Sequence, residues 1–308
     1  MKLIESPLLP LVSQSAFHKR LALRVLNEIR LFYRKNVRRK ILNILPVYKI
    51  KDNTQPPVHI LVCKRDFEMA LISALMVNHL GKKGHIFIFH DDGSLNDEMA
   101  RFFMNHFPGC TMIRKAIADR HAEKILRGYP GIRDFRNKQV MALKLIDVSL
   151  WSQNKRIGYM DSDVLFFQYP LEYFELLTSS DTNFFNRDLT DAYITNRLAL
   201  NEAFSLSIPS CINAGLWIMN KETLNFELIE SWLRQPLLKN RLHDYRLEQT
   251  LTAMLAGISR NKVKYLPSGY DVSFEKNPAA SISKHYVGRI RYGYELEGLR
   301  YLMDKRMV

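Results

Sequence analysis

Two aspartates separated by one residue, Asp161 and Asp163, are the first candidates for chemistry. They follow the apolar stretch 156–160, and a second apolar run begins directly after them. Carboxylates at this spacing can share a hard divalent cation and leave coordination positions free for phosphate oxygens. An Asp-x-Asp triplet also occurs in ordinary solvated turns, so its position after a buried strand is what favours a metal site. We expect this pair, with Ser162 between its members, to hold Mn²⁺ or Mg²⁺ beside a diphosphate.

A second motif lies near the C-terminal end, over residues 285–291. His285 can supply a third metal ligand, and the backbone at Gly288 can approach phosphates closely because glycine has no side chain. Arg289 or Arg291 can donate hydrogen bonds to phosphate oxygens. Alone, such a segment is an ordinary loop. Together with the aspartate pair it becomes a prediction that the histidine and the two carboxylates meet in the folded chain.

The elements that would position these residues alternate between strand and helix patterns. Short apolar runs predict buried strands, and runs with helical spacing predict helices between them. The expected strands are 58–63, 85–89 and 156–160, and the expected helices are 67–80, 96–107 and 139–150. This alternation indicates an α/β fold with a mostly parallel, Rossmann-like central sheet, helices on both faces and a ligand site at the carboxyl ends of the strands.

The formal charge of +14 is concentrated in the N-terminal segment. Residues 1–50 contain eleven Lys or Arg and two acids, which gives 11 − 2 = +9 and leaves +5 for the rest. Over 16–45, apolar residues recur at helical spacing between basic ones, as in a basic amphipathic helix. We expect an extension over 1–50, a domain over 51–308, and either an anionic membrane surface or an acidic partner for the helix. A solvated helix packed on the domain is the alternative.

Several protein classes fit this composition poorly. No apolar stretch approaches the roughly 18 residues of a membrane span, and Glu5, Pro7 and Pro10 interrupt any signal peptide. The three cysteines are widely spaced, without a metal-binding pair or a disulfide framework. A nucleic-acid-binding protein is disfavoured because the excess charge lies outside the main domain. We expect a cytoplasmic protein, at most peripheral at the inner face of a membrane.

Four segments resemble, in order, the motifs of GT-A fold glycosyltransferases. The segments are 159–167, 212–217, 247–250 and 285–291. The likeness is greatest to the retaining, glycogenin- and galactosyltransferase-like (family 8-like) group, which has a His-x-x-Gly-x-x-Lys motif after its Asp-x-Asp. It spans roughly residues 58–291. The resemblance implies a hexosyltransferase with a nucleotide-sugar donor, UDP-linked in the first instance, and a glycan or lipid-linked acceptor.

The resemblance also implies roles for individual residues. Asp161, Asp163 and His285 would be the metal ligands, and Arg291 stands where the family has a phosphate-binding lysine. Gln249 matches a polar residue beneath the reacting sugar, with Glu248 beside it, so that the catalytic candidates are Gln249, Glu248 and Asp161. The other donor-binding candidates are Cys63, Lys64, Arg65, Asp91, Asp92, Lys144, Ser162, Asn213, Ala214, Gly215, Gly288 and Arg289.

Some of these assignments have an ordinary structural alternative. Asp91 and Asp92 open an Asp-Asp-Gly-Ser tetrapeptide that also fits a tight turn. Lys144 also fits a lysine at a helix edge that extends its amine to solvent. Retention is favoured by the C-terminal histidine motif, and an inverting enzyme would need a general base, for which Glu248 or Asp244 is the candidate.

A rival activity is a phosphohydrolase of the haloacid-dehalogenase type. In that class the first aspartate of an Asp-x-Asp triplet is the nucleophile, which would make Asp161 the reacting group. Such enzymes need further acidic metal ligands downstream. No adjacent acidic pair of that kind follows Asp163.

Overall fold

A seven-stranded sheet forms the centre of the fold in the computed structural model, which describes residues 24–308 except 26, 51–53, 259–262 and 275. The strands of the two sheets are β1 (Val58–Val62), β2 (Phe87–Asp91), β3 (Thr111–Ile113), β4 (Arg156–Met160), β5 (Val164–Phe166), β6 (Asn183–Arg187), β7 (Ile212–Asn220), β8 (Val263–Tyr265), β9 (Tyr270–Asp271) and β10 (Ser283–His285). The central sheet has the order β3-β2-β1-β4-β7-β6-β8, and the small sheet has the order β5-β10-β9.

Most strands of the central sheet are parallel. The pairs β1–β2, β2–β3, β1–β4 and β6–β8 are parallel, whereas β7 runs antiparallel to both β4 and β6. The predicted α/β class is confirmed.

Helices cover both faces of this sheet. They are α1 (Arg38–Ile44), α2 (Phe67–Gly81), α3 (Asp97–Asn105), α4 (Lys115–Ile125), α5 (Pro130–Lys138), α6 (Ile146–Trp151), α7 (Leu171–Ser179), α8 (Arg197–Phe204), α9 (Phe226–Leu233), α10 (Pro236–Lys239), α11 (Leu247–Ile258) and α12 (Arg300–Asp304). Strand β7 shows the two-sided burial: Leu216 and Ile218 belong to one apolar cluster, and Trp217 and Met219 to the other. A strand buried on both faces is continuously apolar, because successive side chains point to opposite faces.

The small sheet places the two chemical motifs side by side. Asp161, Ser162 and Asp163 connect β4 to β5, and β5 pairs antiparallel with β10. In this register His285, the last residue of β10, lies opposite Val164. Two segments more than a hundred residues apart in sequence therefore meet at the carboxyl end of β4.

Some element boundaries differ from the predicted ones. The second strand runs over Phe87–Asp91, two residues later than expected. The single helix expected over 139–150 is instead a 3₁₀ segment, Val140–Lys144, followed by α6. Gln139 begins this segment with an extended backbone, and its side chain accepts a hydrogen bond from the Met141 N–H. This tight start competes with a regular α-helical turn.

The N-terminal segment joins the main body of the fold. The chain is helical over 27–32, forms a π-helical turn over Tyr33–Val37 and continues into α1. Ile41 and Leu42 on α1 belong to the main apolar cluster. Within the described residues, none of the helices combines the length and apolar character needed to cross a bilayer.

Candidate functional site

Asp161, Asp163 and His285 form a compact cluster at the carboxyl end of β4. Each offers one ligand atom, and these atoms lie within 4.8 Å of one another. His285 Nε2 is 3.1 Å from Asp163 Oδ1 and 3.6 Å from Asp161 Oδ2. One imidazole nitrogen and two carboxylates, within reach of a common centre, are a suitable ligand set for a divalent cation with open positions for phosphate oxygens.

Backbone hydrogen bonds hold this cluster in place. The Asp161 N–H donates to the Gly215 carbonyl at 2.7 Å, which ties the aspartate segment to β7. The Asp163 carbonyl accepts from the Tyr286 N–H at 3.1 Å, which ties the same segment to the end of β10. The cluster therefore rests on two sheets, and this arrangement limits its motion.

Gly215 has a steric role beneath the histidine. A Cβ atom at this position would lie 1.9 Å from His285 Cε1, far inside van der Waals contact. The imidazole ring thus fills the space that any other residue on β7 would occupy. Glycine is required at position 215 for this close approach.

Asn213 determines which nitrogen of His285 faces the aspartates. Its side-chain Oδ1 accepts the Gly215 N–H at 3.0 Å, and its Nδ2 donates to Asp188 Oδ2 at 3.1 Å. These two contacts orient the amide, so that Oδ1 is an acceptor for His285 Nδ1, 2.8 Å away. With Nδ1 held by Asn213, the other ring nitrogen, Nε2, faces the carboxylates. This is the usual outer contact of a metal-binding histidine.

Asp163 remains ionised despite its burial. Burial alone would raise the pKa of its carboxyl group, but His285, Arg291 and Lys144 lower that pKa to about 2. Arg291 Nη1 lies 3.6 Å from Asp163 Oδ2, and its Nη2 lies 2.6 Å from Asp66 Oδ2. A charged carboxylate and a guanidinium group therefore stand at the same edge of the cluster.

A separate group of polar side chains surrounds Asp161. Tyr159 donates to Asp161 Oδ1 at 2.7 Å, and Lys144 Nζ lies 3.0 Å from Asp161 Oδ2. Lys144 also lies 3.4 Å from Glu248 Oε2. Burial alone would lower the pKa of Lys144, but Asp161 and Glu248 raise it above its usual range, so the amine stays protonated. Lys144 thus contacts a candidate metal ligand.

A cleft of about 660 Å³ opens beside this cluster. Its lining comprises Arg34, Leu61, Cys63, Lys64, Arg65, Asp66, Asp92, Ser94, Val140, Met141, Asp161, Ser162, Asp163 and Arg291. The lining includes Asp161 and Asp163 of the cluster together with residues that follow β1 and β2. Such a position, outside the carboxyl ends of parallel strands, is where open α/β sheets bind nucleotides.

The predicted donor-binding residues after β1 and β2 occupy different surroundings. Cys63, Lys64 and Arg65 line the cleft, as does Asp92. Asp91 lies outside that lining: its carboxylate accepts the Gly93 N–H at 2.8 Å and pairs with Arg114 Nε at 2.8 Å. The tight-turn interpretation therefore describes the contacts of Asp91. It also describes Asp92, whose carboxylate accepts the Ser94 N–H at 2.9 Å while the residue lines the cleft.

Gln249 lies outside the lining of the cleft. Its Oε1 accepts from the Ala214 N–H at 3.5 Å, and its Nε2 approaches Asp188 Oδ2 at 3.5 Å. Because Asn213 also bonds to Asp188, the amides of Gln249 and Asn213 share one carboxylate. Glu248, one residue before Gln249, is buried and faces Lys144.

The loop after His285 has an unusual backbone. Gly288 has φ +28°, and among the described residues no atom beyond its chain neighbours lies within 4 Å of the position where its Cβ would stand. A positive φ favours glycine, and the open space is compatible with close approach of a ligand. The side chain of Arg289 lies outside the described part of the structure.

Two charged cleft residues were missed in the sequence. Asp66 lies between Arg65 and Arg291, with Arg65 Nη2 at 3.0 Å and Arg291 Nη2 at 2.6 Å from the same oxygen. The signal was its position directly after the strand end that carries Lys64 and Arg65. Arg34 comes from the N-terminal helix, and no local pattern indicates that this helix reaches the cleft.

Comparison with known proteins supports the fold. No known family profile and no curated protein match this sequence. An active-site variant of LgtC aligns over 81% of this chain and 95% of its own, with 13% identity and TM-score 0.50. Mouse xyloside xylosyltransferase 1 in its apo form aligns over 76% and 97%, with 12% identity and TM-score 0.49. Core-mannan synthase A from Aspergillus fumigatus, in an Mn/GDP form, aligns over 71% and 75%, with 11% identity and TM-score 0.48. The similarity to LgtC supports the predicted GT-A fold.

Proposed function

We propose that this protein is a metal-dependent glycosyltransferase that moves a hexosyl group from a nucleotide-sugar donor, UDP-linked in the first instance, to a glycan or lipid-linked acceptor. The observation that carries the proposal is the Asp161, Asp163 and His285 cluster at the carboxyl end of β4, beside a cleft with Arg291 at its edge. LgtC has also been solved as a galactosyltransferase in complex with donor and acceptor sugar analogues. The phosphohydrolase alternative is not favoured, because these structural neighbours are glycosyltransferases.

The residues of the cluster fit Mn²⁺ or Mg²⁺. Two carboxylates and an imidazole with its Nε2 directed at them provide hard oxygen ligands and one nitrogen ligand. When bound, the ion supplies Lewis-acid stabilisation of the charge on a departing nucleoside diphosphate. Asp163, which stays ionised, Asp161 and His285 would hold it.

Other residues of this chain act on the donor and the acceptor directly. Arg291 at the edge of the cleft stabilises the negative charge that develops on the leaving phosphate. Gln249 and Asn213, joined through Asp188, present amide groups that can orient the reacting sugar. For a retaining enzyme, a leaving-phosphate oxygen then takes the proton of the acceptor hydroxyl. Glu248 is the base candidate for inversion, and its pairing with Lys144 makes it less available.

A membrane surface is a proposed partner of the N-terminal helix, which would place the enzyme in the cytoplasm at the inner face of a membrane. In the described part of this helix, the apolar side chains of Val25, Ile29, Leu31 and Phe32 are exposed. Basic residues lie among them, and such a combination binds anionic lipid surfaces. Phe32→Ser and Lys40→Glu should each reduce sedimentation with anionic vesicles, while Lys155→Glu, a charge reversal at another exposed lysine, should not. Wild-type sedimentation of both helix variants would contradict this partner.

The proposed activity is tested by donor turnover. Release of nucleoside diphosphate should be measured for UDP-, GDP- and CMP-sugars with Mn²⁺ and after chelation. We expect turnover of at least one donor that is lost with chelator and restored by added metal. Metal-independent turnover, or phosphate release from phosphate esters without any turnover of a sugar nucleotide, would contradict the proposal.

A further inference from the structure

The N-terminal helical segment contributes one wall of the cleft. Arg34 lines the same cleft as Asp161, Asp163 and Arg291. Its Nη2 atom lies 3.5 Å from the backbone oxygen of Arg65, which follows β1. Arg34 precedes the region of resemblance, which begins near residue 58. Arg34 is therefore a cation in the cleft that lies outside the motifs on which the family resemblance rests.

Buried contacts hold Arg34 at this rim. Arg38, four residues later, is 2% exposed and pairs with the buried Glu295 on the C-terminal side of the fold and with Glu68 at 3.5 Å. Arg30, four residues earlier, lies 3.5 Å from the same Glu295. Ion pairs on both sides of Arg34 thus fix the course of the helix. Arg34 itself lies in the π-helical turn Tyr33–Val37, and such turns are frequent at functional sites.

A series of contacts between charged residues leads from Arg34 to the Asp161, Asp163 and His285 cluster. Arg34 contacts Arg65, Arg65 pairs with Asp66 at 3.0 Å, and Asp66 pairs with Arg291 at 2.6 Å. Arg291 then approaches Asp163 at 3.6 Å. Arg65 and Arg291 therefore share a carboxylate. Among the described residues Arg34 has no carboxylate within 4.0 Å, so its guanidinium can bind an incoming anion.

The near balance of charges in the cleft makes the contribution of Arg34 important. Its lining contains four basic side chains, Arg34, Lys64, Arg65 and Arg291, and four carboxylates, Asp66, Asp92, Asp161 and Asp163. A bound divalent cation and the diphosphate of a donor roughly balance each other, so each protein cation affects the net potential. An adjoining groove of about 530 Å³ also contains Arg34, Lys35, Arg39, Lys64 and Arg65, with Glu68 as its acidic residue. This basic groove attracts anions toward the cleft.

We propose that Arg34 is a donor-binding residue whose guanidinium contacts phosphate oxygens of the nucleoside diphosphate, so that the N-terminal helix completes the donor site. This inference rests on the proposed sugar-nucleotide function. A guanidinium group suits the role because it presents several N–H donors in one plane to phosphate oxygens. The helix then serves substrate binding, whether or not it also contacts a membrane.

The test is the affinity of the full-length protein for UDP, GDP and CDP in the presence of Mn²⁺, measured by calorimetry. Arg34→Ala should raise the Kd of the preferred nucleoside diphosphate about tenfold, because it removes a charge-assisted hydrogen bond. Arg34→Lys should fall between wild type and Arg34→Ala, because it keeps the charge without the planar fork. Lys40→Ala is the matched control: it removes one exposed cation from the same helical segment and lies outside both linings. It should change the Kd less than about twofold.

Two further measurements distinguish a lost phosphate contact from a general loss of binding or of stability. The phosphate-free nucleoside should bind wild type and Arg34→Ala equally, and the melting temperature should stay close to that of wild type, since Arg34 makes one long hydrogen bond. A Kd unchanged in Arg34→Ala, an equal loss of nucleoside binding, or an equal effect of Lys40→Ala would each overturn the inference. If the wild type binds none of the nucleoside diphosphates with Mn²⁺, the proposed function itself fails, and the inference falls with it.

Discussion

Two buried histidine clusters in this molecule differ in the charges around them. His285 is 4% exposed and lies against two carboxylates. His59 on β1 and His90 on β2 are equally buried, with His59 Nδ1 2.8 Å from His90 Nε2 and their rings stacked. Neither forms an ion pair among the described residues, and His59 Nε2 and His90 Nδ1 lack hydrogen-bond partners there. The same residue type therefore lies in a candidate metal site in one region and in the core in the other.

The difference shows what makes a buried histidine a candidate for function. Burial, and for His59 also its partner His90, lowers the pKa of both residues, that of His90 to about 3, so the pair is neutral and packs as apolar rings. At His285, Asn213 orients the ring and two aspartates face its Nε2. Orientation and nearby carboxylates, rather than burial, distinguish the candidate site.

The largest effect on donor turnover is expected when a carboxylate is removed from the Asp161, Asp163 and His285 cluster. Asp163→Asn should lower metal-dependent donor turnover by at least about 10³-fold, because an amide is a weaker ligand and carries no charge. Steady-state assays across Mn²⁺ concentrations measure this. The matched control is Asp181→Asn, which removes an exposed carboxylate that pairs with Lys155 and lies outside the cleft lining. Activity of Asp163→Asn equal to that of the control would remove the distinction between the two clusters.

The second-largest effect on donor turnover is expected when His285 is displaced without any change of charge. Gly215→Ala should lower turnover about 100-fold, because a methyl group forces the imidazole from its place and small misplacements at a reacting centre are costly. Gly128→Ala is the control, since in the described part of the chain its added Cβ has no atom within 4 Å beyond its own local backbone. The comparison fails if Gly215→Ala binds Mn²⁺ and turns over donor like Gly128→Ala.

A smaller effect is expected from loss of the residue that orients His285. Asn213→Ala should weaken Mn²⁺ binding by about 10-fold to 100-fold, as for other outer contacts of metal-binding histidines. Asn183→Ala removes another buried asparagine of the same sheet, which bonds to Thr223 and Asn220, and controls for lost stability. Equal Mn²⁺ affinities of the two variants would show that Asn213 does not orient the ring.

The neutral His59 and His90 pair should make the stability of the folded protein depend on pH. The pKa of His90 is lower in the folded state than the ordinary value of 6.5, so the unfolded chain binds more protons below that pH. The free energy of unfolding should therefore fall as pH decreases from 6.5 toward 3, by about 1.4 kcal/mol per unit for this residue. Urea unfolding at pH 6.5 and 5.0 should show a loss about 2 kcal/mol smaller in His90→Gln. The exposed His243→Gln is the control, and identical pH dependence in the two variants would contradict this account.

The sequence predicted the α/β class and the places of the main ligands more fully than the contacts between them. The Asp-x-Asp triplet follows a strand, so its position could be inferred from a local apolar run. The contact of Asn213 with His285, and that of Asp66 with Arg291, join residues distant in the chain. No periodicity encodes such pairings, and the steric need for Gly215 appears only once the ring lies against β7.

The N-terminal helix shows a further limit of sequence patterns. Its basic, amphipathic pattern was interpreted as an extension with a surface partner, with a solvated helix packed on the domain as the alternative. Arg38 and Ile41 are nevertheless buried, because Glu295 and the main apolar cluster supply partners that lie at the other end of the chain. A pattern of charges describes a helix face, and the partner of that face depends on tertiary packing.

The central claim is that Asp161, Asp163 and His285 bind one cation together. Pulsed electron paramagnetic resonance of Mn²⁺ added to the protein measures this directly, because an imidazole ligand couples its ¹⁴N nucleus to the metal. The account predicts one bound Mn²⁺ with a directly coordinated imidazole nitrogen, and loss of that coupling in His285→Ala. A bound Mn²⁺ without nitrogen coupling, or coupling that persists in His285→Ala, would contradict it.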